Sequence, residues 1–262
     1  MAQIKAGRLQ SRGKSLILSY DFGLEHGPRF FTKQTVDPRF ILDIALAGKF
    51  TGIILTPGVA HHYYKGEYKD IPLIVKLNAK SSLPQMSPVA KTICSVDYAV
   101  KLGATAVGYT IYDGSPTEPD QFSEFTSIAE RAHEIGVPII AWMYPRGPGI
   151  HDPLGDDIIA YSARMGMELG ADFVKLKYNN HLESYKWIVQ CAGATKVLVT
   201  EDVRMTDDNF LRWAHDIQQT GAAGIVVGKH VWGHARPFSI AKALAAIVFD
   251  GKHHTQVRHL LD

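Results

Sequence analysis

Residues 154–200, LGDDIIAYSARMGMELGADFVKLKYNNHLESYKWIVQCAGATKVLVT, switch repeatedly between two periodicities. LGDDIIAYSARMGMELGA (154–171) and HLESYKWIVQCAG (181–193) read as helices, whereas DFVKLKY (172–178) and KVLVT (196–200) read as short buried strands. Strands joined by a helical crossover run parallel in one sheet, because a tight turn joins only antiparallel neighbours. Side chains two apart on a strand share a face, so Lys175 and Lys177 aim the same way.

Working outward, the same alternation covers the chain. SLILSY (15–20), TGIILT (51–56), PLIVKL (72–77), TAVGYTI (105–111), PIIAWMY (138–144) and AGIVVG (223–228) bring the strands to eight. Helix-like segments DPRFILDIALAGKF (37–50), SVDYAVKLGA (95–104), PDQFSEFTSIAERAHEIG (119–136) and TDDNFLRWAHDIQQTGA (206–222) lie between them. Several begin near Asp, Ser or Thr and end in Gly, as helix caps require. The dipeptide GA at 103–104, 170–171 and 221–222 recurs where a helix gives way to a strand. Apolar strands alternating with helices point to a parallel sheet covered on both faces. Eight such units close into an α/β, (β/α)8 TIM barrel, and 262 residues is close to the ~250 typical of that fold. An open doubly wound sheet would favour GxGxxG after its first strand, where DFGLEHGP stands instead. The expected organisation is one domain over residues 1–262, with 1–13 an N-terminal extension and 253–262 a C-terminal tail.

Composition narrows the chemistry. A net charge of +2, with acids and bases dispersed, supplies neither a nucleic-acid arm nor a membrane patch, leaving a small-molecule substrate. Cys94 and Cys191 lack CxxC spacing and read as buried small hydrophobes in a reducing compartment. The first residues, MAQIKAGRLQSRGKS, lack the apolar core of a signal peptide, and no apolar run reaches the roughly 18 residues of a membrane span. The expectation is a soluble, cytoplasmic protein.

In a barrel of this kind the active site lies at the carboxyl ends of the strands. There the first strand leads to Asp21, Glu25 and His26, and the third carries Lys76, Asn78 and Lys80 at alternate positions. The fourth runs into Tyr109, Tyr112 and Asp113, and the fifth into Trp142, Tyr144 and Arg146. The sixth holds Lys175 and Lys177, the seventh opens into Thr200, Glu201, Asp202 and Arg204, and the eighth into Gly228, Lys229 and His230. An amine that attacks a carbonyl must be neutral, and an ordinary lysine near 10.4 is almost wholly protonated at pH 7. Burial and a neighbouring cation both favour the neutral form, so paired lysines inside a barrel suit Schiff-base chemistry. The residues alone equally allow a structural network in which Asp21, Glu201 or Asp202 pairs with both lysines. Tyr144 is placed to move protons, or to pack at the mouth. Neither His61-His62, in the loop-like PGVAHHYYKGEYKD (57–70), nor His253-His254 has metal-ligand spacing, and no metal or other cofactor is expected.

Five of these stretches, YDFGLEHGP (20–28), GYTIYDGS (108–115), WMYPRG (142–147), ADFVKLKY (171–178) and VGKHVW (227–232), carry a family likeness. Together, in consistent order between about residues 14 and 252, they resemble the archaeal-type class I fructose-bisphosphate aldolases, the DhnA-like family. The resemblance implies a lyase that reversibly cleaves fructose 1,6-bisphosphate, serving glycolysis and gluconeogenesis, and commonly a homo-oligomer. It implies that Lys175 forms the Schiff base with dihydroxyacetone phosphate and that Tyr144 exchanges protons in carbon–carbon cleavage. Asp21 and His26 would contact substrate, Trp142 would shape the pocket, Arg146 would meet a phosphate, and Lys177 would tune or bind. Thr200, Glu201, Asp202, Gly228 and Lys229 fall where the family binds the 1-phosphate. Two departures stand out: Phe22 replaces a usual histidine after Asp21, and Thr200-Glu201-Asp202 replaces a Ser-Gly-Gly turn whose amides grip that phosphate. Lys229 stands for a usual arginine, keeping the charge without the bidentate fork. These changes leave open a related lysine-dependent aldolase or transaldolase acting on another ketose.

Overall fold

The computed structural model describes residues 6–83, 89–201 and 204–261. Eight parallel strands, β1 (Ser15–Tyr20), β2 (Gly52–Leu55), β3 (Leu73–Lys76), β4 (Ala104–Ile111), β5 (Ile139–Met143), β6 (Phe173–Lys177), β7 (Lys196–Thr200) and β8 (Gly224–Val227), form a closed barrel. Sequential strands are neighbours, and β8 pairs with β1 from Ser15–Gly224 to Leu18–Val227 to close the ring. The helices are α1 (Phe22–His26), α2 (Pro38–Ala47), α3 (Pro57–Tyr63), α4 (Val96–Lys101), α5 (Glu118–Glu134), α6 (Asp156–Glu168), α7 (Leu182–Cys191), α8 (Asp207–Gln218), α9 (Lys229–Trp232) and α10 (Pro237–Asp250). A small antiparallel ribbon pairs Asn78–Ala79 with Lys91–Thr92 beside the mouth.

Local chemistry accounts for these boundaries. Asp37 and Ser95 cap α2 and α4 by accepting from the backbone N–H groups of Arg39 (3.0 Å) and Tyr98 (3.2 Å). The three recurring GA dipeptides share one cause: Gly103, Gly170 and Gly221 have φ of 97°, 88° and 86°, left-handed conformations that let a helix turn back into a strand. Besides the short α1 and α9, two longer segments depart from the sequence reading. Residues 57–63, read as loop, form α3, because Pro57 occupies the first helical turn, where its missing N–H costs nothing. Its His61 and His62 are exposed. The helix α10, unread in the sequence, buries Ile240, Ala241, Leu244 and Ile247 and covers β1. Cys94 is buried but Cys191 is only partly so, since it ends α7 near the surface. Among the described residues no helix is long and apolar enough to cross a membrane.

Alternation along each strand builds the barrel interior in layers. Ile17, Ile74, Ile140, Phe173, Leu198 and Val226 meet in an interior cluster. Leu9, fully buried, joins it, and Ser15 Oγ donates to the Leu9 carbonyl at 2.8 Å. Two residues further along the same strands come Ser19, Lys76, Trp142, Lys175, Thr200 and Gly228. One more step up brings Asp21, Tyr144 and Lys177. The intervening Val174 and Leu176 face outward into the helix-covered core. An apolar plug therefore closes the barrel below, and a polar layer starts directly above it.

Candidate active site

The polar layer lines a cavity of about 300 Å³ at the carboxyl ends of the strands. Beneath it lies Trp142, 1 % exposed, whose ring fits because position 108 is glycine: a Cβ there would lie 1.7 Å from ring carbons of Trp142. Lys76 Nζ and Lys175 Nζ lie 5.9 and 5.8 Å from that ring centroid. Trp142 shapes the pocket from beneath without lining it.

Lys175, 7 % exposed, donates from Nζ to Tyr144 Oη at 3.0 Å. The register of β5 and β6 sets this contact by pairing Trp142 with Lys175, so Tyr144 sits one inward step above its partner strand's lysine. Tyr112 stacks on Tyr144 at 6.4 Å, and Arg146 lies 5.8 Å from the Tyr112 ring. Lys177 also reaches the Tyr144 ring, at 6.0 Å. Behind this corner Ser162 Oγ on α6 donates to Asp113 Oδ2 at 2.5 Å, and Arg146 N donates to the Asp113 carbonyl at 2.8 Å. Burial pushes the Asp113 carboxyl up to about 6, against the opposing pull of the Ser162 hydrogen bond.

Asp21 is committed to Lys76, a strand-end lysine given no role in the sequence reading. Its Oδ2 lies 3.0 Å from Lys76 Nζ, and its Oδ1 accepts from Ser19 Oγ at 2.5 Å. Burial alone would raise this carboxyl, but Lys76 and then Lys175 outweigh it and bring it down to about 2. Burial likewise works against charge on Lys76, and Asp21 and Glu25 overcome it to hold the amine above its ordinary value. Glu25 lies 3.9 Å from Lys76 and 3.6 Å from Lys80, and accepts from Tyr112 Oη at 3.4 Å. Of the third strand's alternating residues, Lys76 enters the cavity, whereas Asn78 ties β3 to β4 through both its amide atoms and Thr110. Sequence reasoning saw Lys76 at a strand end. Its partner was not visible there, since β1 and β3 are not adjacent and meet only across the mouth.

His26 lines the cavity from α1, with Nδ1 accepting from Arg29 at 3.3 Å, and burial, outweighing Glu25, lowers its pKa. Phe22, also on α1, packs against Trp232 and Phe30 and lies where a Cβ on Gly228 would come within 3.2 Å of its ring. The residue in place of the family's histidine is thus an apolar wall of the β8 turn. Lys229 Nζ sits 4.9 Å from the Phe30 ring.

At the ends of β7 and β8, Glu201 turns inward. Its Oε1 accepts from Gly228 N at 3.4 Å and lies 3.4 Å from His230 Nδ1, while Oε2 accepts from Thr200 Oγ1 at 3.4 Å. Met205 N donates to His230 Nε2 at 2.8 Å, which places the ring proton on Nδ1, facing Glu201. His230, a strand-end residue given no role in the sequence reading, stacks on Phe210 at 4.9 Å. Asp202 lies outside the described residues. Every other candidate residue except Trp142 lines this one cavity, together with Ser19, Glu25, Arg29 and Lys76. Among the described residues no group of three or more His, Cys, Asp or Glu is placed to hold a metal ion.

The family model described as DeoC/LacD family aldolase matches residues 15–234. The class 1 fructose-bisphosphate aldolase of Thermoproteus tenax is 41 % identical over 244 residues, 92 % of each chain. A crystal structure of an archaeal fructose 1,6-bisphosphate aldolase superposes with a TM-score of 0.90 at 40 % identity, covering 94 % of this chain and 98 % of its own. A second solved structure, of an archaeal fructose-1,6-bisphosphate aldolase with the catalytic lysine covalently bound to the carbinolamine intermediate of the substrate, gives 0.89 at 39 % identity over 92 % and 97 %.

Proposed function

The chain belongs to the DeoC/LacD aldolase family, as a class I fructose-bisphosphate aldolase of the archaeal type, and from that premise we propose how its residues divide the work. The reaction is reversible cleavage of fructose 1,6-bisphosphate to dihydroxyacetone phosphate and glyceraldehyde 3-phosphate through a lysine Schiff base. Its relatives are named for that sugar bisphosphate, which favours it over another ketose. The observation that carries the assignment of roles is the 3.0 Å contact between Lys175 Nζ and Tyr144 Oη above a closed apolar plug.

Lys175, as the free amine, attacks the C2 carbonyl to give a carbinolamine, and loss of water yields an iminium. The iminium is the electron sink. As the C3–C4 bond breaks, its electrons form an enamine, the C4 hydroxyl gives up its proton, and the aldehyde departs. Protonation at C3 and hydrolysis then release dihydroxyacetone phosphate and restore the amine. Tyr144, hydrogen-bonded to the nitrogen that becomes the iminium, is within reach of both proton transfers. Asp21, kept ionised by Lys76 and Lys175, supplies negative charge beside the developing cation and an acceptor for a substrate hydroxyl. Arg146 on one side and Lys229 on the other give the two phosphates separate cationic partners. We further propose a cytoplasmic homo-oligomer, as the family and two cysteines without a disulfide-rich pattern suggest.

The test is borohydride reduction in the presence of dihydroxyacetone phosphate, followed by peptide mass analysis. The adduct is expected on Lys175, absent in Lys175→Met and weakened in Lys177→Met. The reverse pattern would move the nucleophile to Lys177, and no adduct in the wild type would overturn the Schiff-base assignment.

A further inference from the structure

We propose that Glu201 is a specificity-determining residue that competes with the substrate's 1-phosphate, holding the donors at the β7–β8 end of the cavity until a phosphorylated substrate displaces it. The inference rests on the aldolase reading above and goes beyond it.

Three observations carry it. The Glu201 side chain is 8 % exposed and lines the same cavity as Lys175, so it lies inside the substrate space. Its oxygens meet Gly228 N, His230 Nδ1 and Thr200 Oγ1, all at 3.4 Å. Hydrogen bonds to a carboxylate settle nearer 2.7–2.9 Å, so this one shares several donors and is bound closely by none. Third, the His230 donor is fixed independently of it. Met205 N holds the His230 ring from the far side at 2.8 Å, and Phe210 stacks on it. With Glu201 turned away, the Gly228 N–H and the His230 Nδ1–H point at one place, and Lys229 follows Gly228 directly. Two convergent N–H groups suit a phosphate oxygen as they suit a carboxylate oxygen. The two anions repel at short range and cannot share the donors. Each phosphorylated substrate therefore binds at the expense of the Glu201 contacts, and the affinity gained from the phosphate is reduced by that exchange.

The experiment is calorimetric titration of inorganic phosphate and of dihydroxyacetone phosphate into the wild type, Glu201→Gln and Glu201→Ser. Glutamine keeps the shape and removes the charge, which guards against a fault of packing. Both variants are expected to bind each ligand at least about tenfold more tightly. Unchanged or weaker affinity in the glutamine variant would overturn the proposal. Phosphate titration needs no Schiff base, so the two readings fail separately. Tightened phosphate binding without a Lys175 adduct would keep the competition and sink the aldolase mechanism. An adduct with unaltered phosphate affinity would do the opposite.

Discussion

Between β5 and β6, Lys175 Nζ meets Tyr144 Oη at 3.0 Å; at the ends of β7 and β8, Glu201 reaches three partners at 3.4 Å each. The first corner is also braced from behind. Tyr144 N donates to the Ile111 carbonyl at 2.9 Å, Arg146 N to the Asp113 carbonyl at 2.8 Å, and Ser162 fastens α6 to Asp113. The loops after β4 and β5 touch backbone to backbone, for a Cβ on Gly147 would fall 1.6 Å from the Gly114 carbonyl oxygen. Covalent chemistry gains from such fixity, because a displacement of about 1 Å can cost a hundredfold in rate. Recognition of a departing ligand instead requires partners that can be exchanged, and loose contacts serve that better. On the proposed roles, the two ends of one cavity serve different tasks.

The sharpest way to break this comparison is to remove the tyrosine hydroxyl. Tyr144→Phe should lower kcat about 10²- to 10⁴-fold, the usual worth of a positioned acid–base group. The borohydride adduct on Lys175 should still form, since the amine is untouched. A kcat near the wild-type value would show that the 3.0 Å contact only orients the lysine.

Much of the first corner was legible in the sequence, and the reason is geometric. Period-two alternation puts Lys175 above Phe173 and Tyr144 above Trp142 once the strands are recognised, and neighbouring parallel strands bring the two pairs together. The Asp21–Lys76 pair was not legible, because it spans β2 and exists only after the barrel closes. Nor was the pose of Glu201. The sequence shows a carboxylate where a glycine turn is usual, but not that it folds back onto Gly228 and His230. Helix α3 was hidden by its own composition, since PGVAHHY pairs turn-forming residues with histidines and has no clear apolar stripe.

A second way to test the comparison is to loosen the fixed end from its far side. Lys76→Met would strand Asp21, whose side chain is 10 % exposed, without its ion-pair partner. Breaking a buried pair this way typically costs about 3–5 kcal/mol of stability, measurable by urea unfolding. Lys175 would then be the remaining amine whose charge lowers Asp21. That attraction favours protonated Lys175, so the acid limb of the kcat/KM profile should move to higher pH, with activity at pH 7 down roughly tenfold. An unmoved limb would mean that Asp21 does not sense the amine that reacts.

The smallest effect should come from Asp113, and only its pH dependence is diagnostic. An aspartate ordinarily titrates near 3.9, whereas burial pushes Asp113 up to about 6 and leaves its Oδ1 without a partner. Between those values the folded protein holds a proton that the unfolded chain has released. Stability from this group is therefore full below pH 4 and lost as the pH rises through 6. Asp113→Asn cannot titrate, and its amide oxygen can still accept from Ser162. The difference in unfolding free energy, variant minus wild type, should grow in the variant's favour by up to about 3 kcal/mol between pH 4 and pH 7. Any constant penalty for the amide nitrogen cancels in that comparison, so urea unfolding at three pH values isolates the proton. Parallel curves would show that Asp113 is ionised throughout. In that event a buried charge, rather than a neutral carboxyl, braces the corner that carries Tyr144.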